Sequence, residues 1–140
     1  MAVDKNKQIA RREMDLFNAR DIDGYRDLFA PEYVDRTPRA GLSPDREGIL
    51  QALMGYLEAF PDMQATVDEQ IAEGDLVVTR GTMRGTHAGA LEGIPATGKT
   101  VTVTGVEIFR IRDGKIVEGW HWEDQASLLR QLGVSEGEGE

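Results

Sequence analysis

Cysteine is absent from all 140 residues, so disulfides and thiolate metal sites are excluded. Basic clusters are missing too. Lys and Arg number 16 against 25 Asp and Glu, a formal net charge of −9, and nucleic acid is not an expected partner because phosphate neutralisation needs a Lys/Arg patch. No stretch approaches the ~18 apolar residues of a membrane span, and MAVDKNKQIARRE at the start has no apolar signal core, so no membrane partner and a cytoplasmic location are expected. Histidines number only 2, which together with the missing thiols argues against zinc. What is present is a chain 40% hydrophobic and 29% charged, enough apolar matter for one folded domain with one core.

The run Val101–Asp124, VTVTGVEIFRIRDGKIVEGWHWED, carries the strongest local signal. Two β-rich stretches flank Asp113-Gly114, and such a pair suits a type I′ turn, which needs positive φ at both central positions. Counting outward from a two-residue turn pairs Ile111 with Ile116, Phe109 with Glu118, Glu107 with Trp120, Gly105 with Trp122 and Val103 with Asp124. Side chains alternate along a strand, so these residues are expected on one face, with His121 on the other. A face mixing Phe109, Trp120 and Trp122 with three carboxylates fits a half-apolar cavity better than a solid core or a solvated surface.

The rest of the chain supplies helices first and strands afterwards. Helical spacing predicts a helix over about Lys5–Ala19, a short second one containing Tyr25, Leu28 and Phe29, and a third carrying Ile49, Leu50, Leu53, Met54, Leu57 and Phe60. Ser43 is the expected N-cap of that third helix, with Pro44 at its first position. Tyr33–Arg36, Met63–Ile71 and Leu76–Thr86 read as strands, His87–Lys99 as an ordered loop, and Gln125–Leu132 as a terminal helix. This order predicts an α+β fold in which three N-terminal helices pack on a curved antiparallel sheet and a short C-terminal helix follows. One domain over 1–134 and a mobile acidic tail over 135–140 are expected.

Several short motifs then occur together: FPD (Phe60–Asp62), GTHAG (Gly85–Gly89), GIPATGK (Gly93–Lys99), FRIRDGKIVEGW (Phe109–Trp120), and Asp124 followed by LLRQLG (Leu128–Gly133). In this order they resemble the SnoaL-like polyketide cyclases of the NTF2-like superfamily. The resemblance implies a cone-shaped fold with an internal pocket, a small-molecule ligand, no metal or organic cofactor, and a homodimer. It also implies intramolecular aldol closure of a polyketide ester, with the carboxylate matching Asp124 as acid/base. The same cone hosts other chemistries. A non-catalytic binding or dimerisation module and an epoxide-hydrolase-like enzyme therefore stand as alternatives, the latter nominating Asp35, Arg80 and Asp124.

A carboxylate in an apolar cavity is a suitable base for a proton α to a carbonyl, because burial raises its pKa. Asp124 is the candidate, and its competing role is to cap the helix at Gln125. His87, opening the glycine-rich loop, is the second catalytic candidate, as a donor to a substrate oxygen. Tyr33, Asp35, Arg36, Phe60, Arg80, Glu107, Phe109, Trp120 and Trp122 are the candidate substrate contacts. GIPATGK lacks the spacing of a phosphate loop and reads as a rim or lid.

Overall fold

The structure, a computed structural model, describes residues 2–134, so the expectation for the 135–140 tail lies outside the described residues. Helix α1 spans Ala2–Ala19, α2 Ile22–Leu28 and α3 Arg46–Ala59; strand β1 spans Phe29–Asp35, β2 Gln64–Glu73, β3 Leu76–Thr86, β4 Thr100–Arg112 and β5 Lys115–Glu123; helix α4 is Gln125–Leu132. The strands form one curved sheet in the order β1-β5-β4-β3-β2. Only β1 runs parallel to its neighbour β5; the other pairings are antiparallel. Helix α1 packs on β2 and β3, α3 on β1, and α4 on β4.

Local chemistry accounts for most boundaries. Asp21 caps α2 by accepting from the Gly24 amide at 2.9 Å, and Pro31 sits inside β1, where a helix cannot continue. The third helix starts two residues later than the sequence suggests. Asp45, not Ser43, is its cap: the carboxylate accepts from the Gly48 amide at 3.0 Å, and the Ser43 hydroxyl donates to the same carboxylate at 2.7 Å. Gly133, at φ 84°, ends α4 in the left-handed conformation.

The β4–β5 turn is as expected, with φ of 51° at Asp113 and 78° at Gly114. The register beyond it is not. Ile111 opposes Ile116, but the next pair is Arg110 with Glu118, so Val117 is an extra residue, a β-bulge. Every later pair shifts by one: Phe109 faces Gly119, Ile108 Trp120, Glu107 His121, Val106 Trp122 and Gly105 Glu123. The expected face is therefore corrected. Glu107 and Phe109 share the concave side with His121 and Glu123, while Trp120 and Trp122 belong to the convex rows with Glu118.

Packing explains why this register wins. Phe29 makes edge contacts with Tyr33 and Phe109 at centroid distances of 4.8 and 5.9 Å, and all three rings are buried. Burying each such ring contributes roughly 1.5–3 kcal/mol. Gly119 lies beneath them, where an added Cβ would stand 2.4 Å from the Tyr33 hydroxyl and 3.1 Å from the Phe109 ring. The unbulged register would put Glu118 there, opposite Phe109. The bulge sends Glu118 outward instead, to Arg36 at 2.6 Å and Arg110 at 2.9 Å.

Candidate active site

Three cross-strand rows pave the concave face: Val77–Phe109–Gly119, Thr79–Glu107–His121 and Gly81–Gly105–Glu123. The first row is packed solid by aromatic rings. The third has glycine at two of its three places, which leaves space where side chains would stand. Between the rows and the helices lies a cavity of ≈ 320 Å³. Its apolar wall comes from Met14, Phe17, Ile49, Leu53 and Met83, and its polar groups from Glu13, Tyr25, Asp35, Arg39, Tyr56, Glu107, His121 and Glu123. Apolar walls with a few convergent polar groups are the usual form of a small-molecule site.

His121 stands centrally. Its backbone amide donates to Thr37 Oγ1 at 2.7 Å, fixing the strand edge against the loop after β1. Nε2 lies 3.3 Å from the Tyr33 hydroxyl and 3.9 Å from Asp35 Oδ1, leaving Nδ1 without a protein partner among the described residues. Burial holds the imidazole below its ordinary 6.5, partly opposed by the Asp35 charge. A neutral ring follows at neutral pH. Asp35, only 5% exposed, accepts from the Thr37 amide at 3.0 Å.

At the mouth, Arg39 reaches out of the 36–45 loop. Its guanidinium bonds Glu123 at 2.5 Å and Glu92 at 3.1 Å, and lies over the Tyr56 ring at 4.2 Å. Tyr56 donates its hydroxyl proton to the other Glu123 oxygen. This cluster ties β5, α3 and the glycine-rich loop together across the rim. Deeper in, the Tyr25 hydroxyl donates to Glu13 Oε2 at 2.6 Å, and Glu13 lies beside Glu107. Burial, and then the neighbouring Glu13, push the Glu107 carboxyl well above its ordinary 4.5.

The sequence-derived candidates divide sharply. Asp35 and Glu107 line the cavity, and Trp122 borders its rim although 52% exposed. Tyr33 touches His121 from below, and Phe109 packs against the same imidazole edge-on at 5.6 Å. Phe60 is core, stacked near Tyr56. The remaining candidates are elsewhere. Asp124 is exposed and accepts from the Ser127 amide at 3.0 Å, capping α4. His87 is fully buried outside the cavity lining, bonded through Nδ1 to the Thr97 amide at 3.2 Å and tilted on Phe60, where it anchors the loop. Arg36 is paired outside with Glu118, Arg80 is exposed beside Asp68 and Glu69, and Trp120 lies on the convex row. Asp35, Arg80 and Asp124 thus do not meet.

Sequence reasoning missed Glu13, Arg39, His121 and Glu123, and read Tyr56 as core or pocket lining. Glu13 had a usable signal, since it interrupts the buried stripe Ala10, Leu16, Phe17 of α1. His121 and Glu123 were hidden by the bulge.

Comparison with known proteins fits this geometry. Residues 7–132 match the family SnoaL-like polyketide cyclase. Nogalonic acid methyl ester cyclase of Streptomyces nogalater is 31% identical over 120 residues, covering 84% of this chain and 89% of that protein. Wild-type IdmH of Streptomyces antibioticus, a candidate polyketide cyclase, superposes with TM-score 0.81 at 38% identity, covering 92% of this chain and 99% of that one. AclR of Streptomyces galilaeus, a candidate hydroxylase, gives 0.84 at 31% identity, covering 94% and 97%.

Proposed function

Because the chain belongs to the SnoaL-like polyketide cyclase family, we propose that it closes a ring in a small polyketide ester by cofactor-independent aldol chemistry, with His121 as base and Asp35 as its positioning partner. Related folds of one family carry different reactions, so the assignment rests on the site. The observation that carries it is the neutral imidazole on the cavity face, with Nδ1 free and Nε2 toward Tyr33 and Asp35.

An aldol closure starts when a base removes a proton α to a carbonyl. His121 Nδ1 takes that proton, and the imidazolium is stabilised by the Asp35 carboxylate nearby, a geometry that tightens on substrate binding. The apolar wall excludes water and strengthens this electrostatic support. The enolate carbon then bonds to a second carbonyl of the same molecule, folded back within the cavity. The methyl ester substrate named for the Streptomyces nogalater relative is the chemical class we carry to this chain. Asp124, occupied as a helix cap, has no place in this scheme. The homodimer implied by the resemblance and the cytoplasmic location expected from the sequence belong to the same reading, and light scattering tests the former.

The experiment is turnover of a panel of linear polyketide methyl esters by wild type, His121→Ala and Asp124→Asn. Losing a general base lowers kcat by about 10²–10⁴-fold, so His121→Ala is expected to fall in that range while Asp124→Asn matches wild type. Wild-type activity should be flat near neutrality and decline toward acid as the imidazole protonates. Equal turnover by wild type and His121→Ala would overturn the assignment.

A further inference from the structure

Beyond the base and the rim cluster, a further set of polar groups lies one row position away, at the buried end of the cavity. Glu107 is the direct cross-strand partner of His121, which places their Cβ atoms about 4.5–5.5 Å apart on the concave face. Glu13 reaches the same point from α1. Tyr25 satisfies one Glu13 oxygen, but Glu13 Oε1 and Glu107 Oε2 are sealed from solvent with no hydrogen-bond partner among the described residues. Thr79, the third member of the row, is engaged by Gln70 at 3.2 Å.

Two carboxyls side by side in an apolar cavity do not both ionise, because each charge would lack solvation and repel the other. The titratable groups facing the pair are Tyr25 from α2, Tyr33 and Asp35 from β1, and His121 from β5; Arg39 is the one cation among the described lining residues, and it is committed to Glu123 and Glu92. No nearby cation therefore neutralises the two acids.

We propose that Glu13 and Glu107 hold one proton between them and donate it to the acceptor carbonyl oxygen, so that the site takes uncharged esters and ketones and rejects free carboxylates. This rests on the cyclase reading and adds to it the acid and the substrate charge. The balance closes. The C–H bond breaks toward His121 and the new C–C bond forms. The acceptor's π pair moves to its oxygen, which takes the carboxyl proton, and the imidazolium proton restores the pair. Glu107 and His121 stand on adjacent strands of one face, so acid and base reach the same ligand. A carboxylate ligand at this end would face three acidic groups, Glu13, Glu107 and Asp35, with no free cation among the described lining residues.

Binding tests the idea without turnover. Methyl 2-naphthoate and 2-naphthoate, one ester and one anion of like shape, are titrated into wild type, Glu107→Gln and Glu13→Gln/Glu107→Gln at neutral pH and fixed salt. Wild type is expected to prefer the ester by about tenfold or more, since burying an anion beside unpaired acids is costly. The double variant, with two neutral amides, should lose most of that preference. Infrared spectra of wild type should also show a protonated carboxyl band at neutral pH that the double variant lacks, a readout that needs no variant to fold for its first half. Equal affinity for ester and anion in wild type, or a missing carboxyl band, would overturn the proposal. The two readings fail separately: polyketide cyclisation at the wild-type rate in the double variant removes the acid pair alone, whereas an intact ester preference with no cyclisation of any polyketide ester removes the cyclase reading alone.

Discussion

The two faces of the β4–β5 hairpin hold the same functional group and treat it in opposite ways. Glu107, on the concave side, has a second carboxyl and two tyrosines for neighbours, and burial followed by the Glu13 charge drives its pKa well up. Glu118, on the convex side, sits between two guanidinium groups, and hydrogen bonds from Arg110 and then Arg36 hold its pKa below 4.5. Burial pushes the one toward its neutral form, while the flanking guanidinium groups favour the charged form of the other. Composition is identical; what differs is which side of the strand each residue occupies.

The comparison is broken most severely by emptying the inner face. Phe109→Ala removes the ring that Phe29 and His121 pack against, and is expected to cost about 3–5 kcal/mol in urea unfolding. A cost under ~1 kcal/mol would mean that the concave rows are not the core. Next is Gly119→Ala, whose new methyl meets the Tyr33 hydroxyl and Phe109 ring at 2.4 and 3.1 Å; overpacking of this kind costs about 1–3 kcal/mol, read from the same midpoint shift.

Titration sharpens the contrast. A carboxyl with a raised folded pKa stabilises fully below its unfolded value and loses that contribution as pH climbs through the folded one. Glu107→Gln should therefore reduce the fall in stability from 4.5 toward neutrality. Glu118 has the opposite sign. Its contribution is present above 4.5 and disappears as pH falls through its depressed value, so Glu118→Gln should blunt the acid loss. Unfolding free energies measured across pH in both variants test the pair together, and slopes of the same sign would refute the contrast.

The smaller effects are local. Asp124→Ala removes the α4 cap and should cost about 1 kcal/mol without changing turnover. At neutral pH Glu118→Gln, which keeps a hydrogen-bonding amide between the half-buried Arg110 and the exposed Arg36, should cost about 1 kcal/mol.

Much of this molecule is readable from short-range pattern. The Asp113-Gly114 turn, the helical stripes and the terminal helix follow from periodicity and turn chemistry, because each depends on residues a few positions apart. Two of the candidates that line the cavity, Asp35 and Glu107, do not depend on pairing beyond the turn: Glu107 lies on β4, which carries no bulge, and Asp35 alternates with buried Tyr33. Phe60, His87, Arg36 and Arg80 lie outside β5, where the hairpin register has no say; Trp120 and Asp124 were turned inward for a single reason. Val117 is β-branched and apolar, with none of the glycine signal that would mark an irregularity, so parity counted from the turn runs wrong from Glu118 onward. His121 was thereby assigned outward and Asp124 inward. The mouth cluster of Arg39, Tyr56 and Glu123 joins residues far apart in the chain, and no local spacing announces it.

That bulge has a consequence for how such a protein can change. Substitution replaces one side chain at a time, but a single codon gained or lost near Val117 exchanges the whole alternate set presented by the distal half of β5, trading a histidine and a glutamate for two indoles. The tip of the hairpin and its turn would be untouched. Insertions and deletions at this position are therefore coarse steps in the chemistry of the pocket, taken without redesigning the scaffold that holds it.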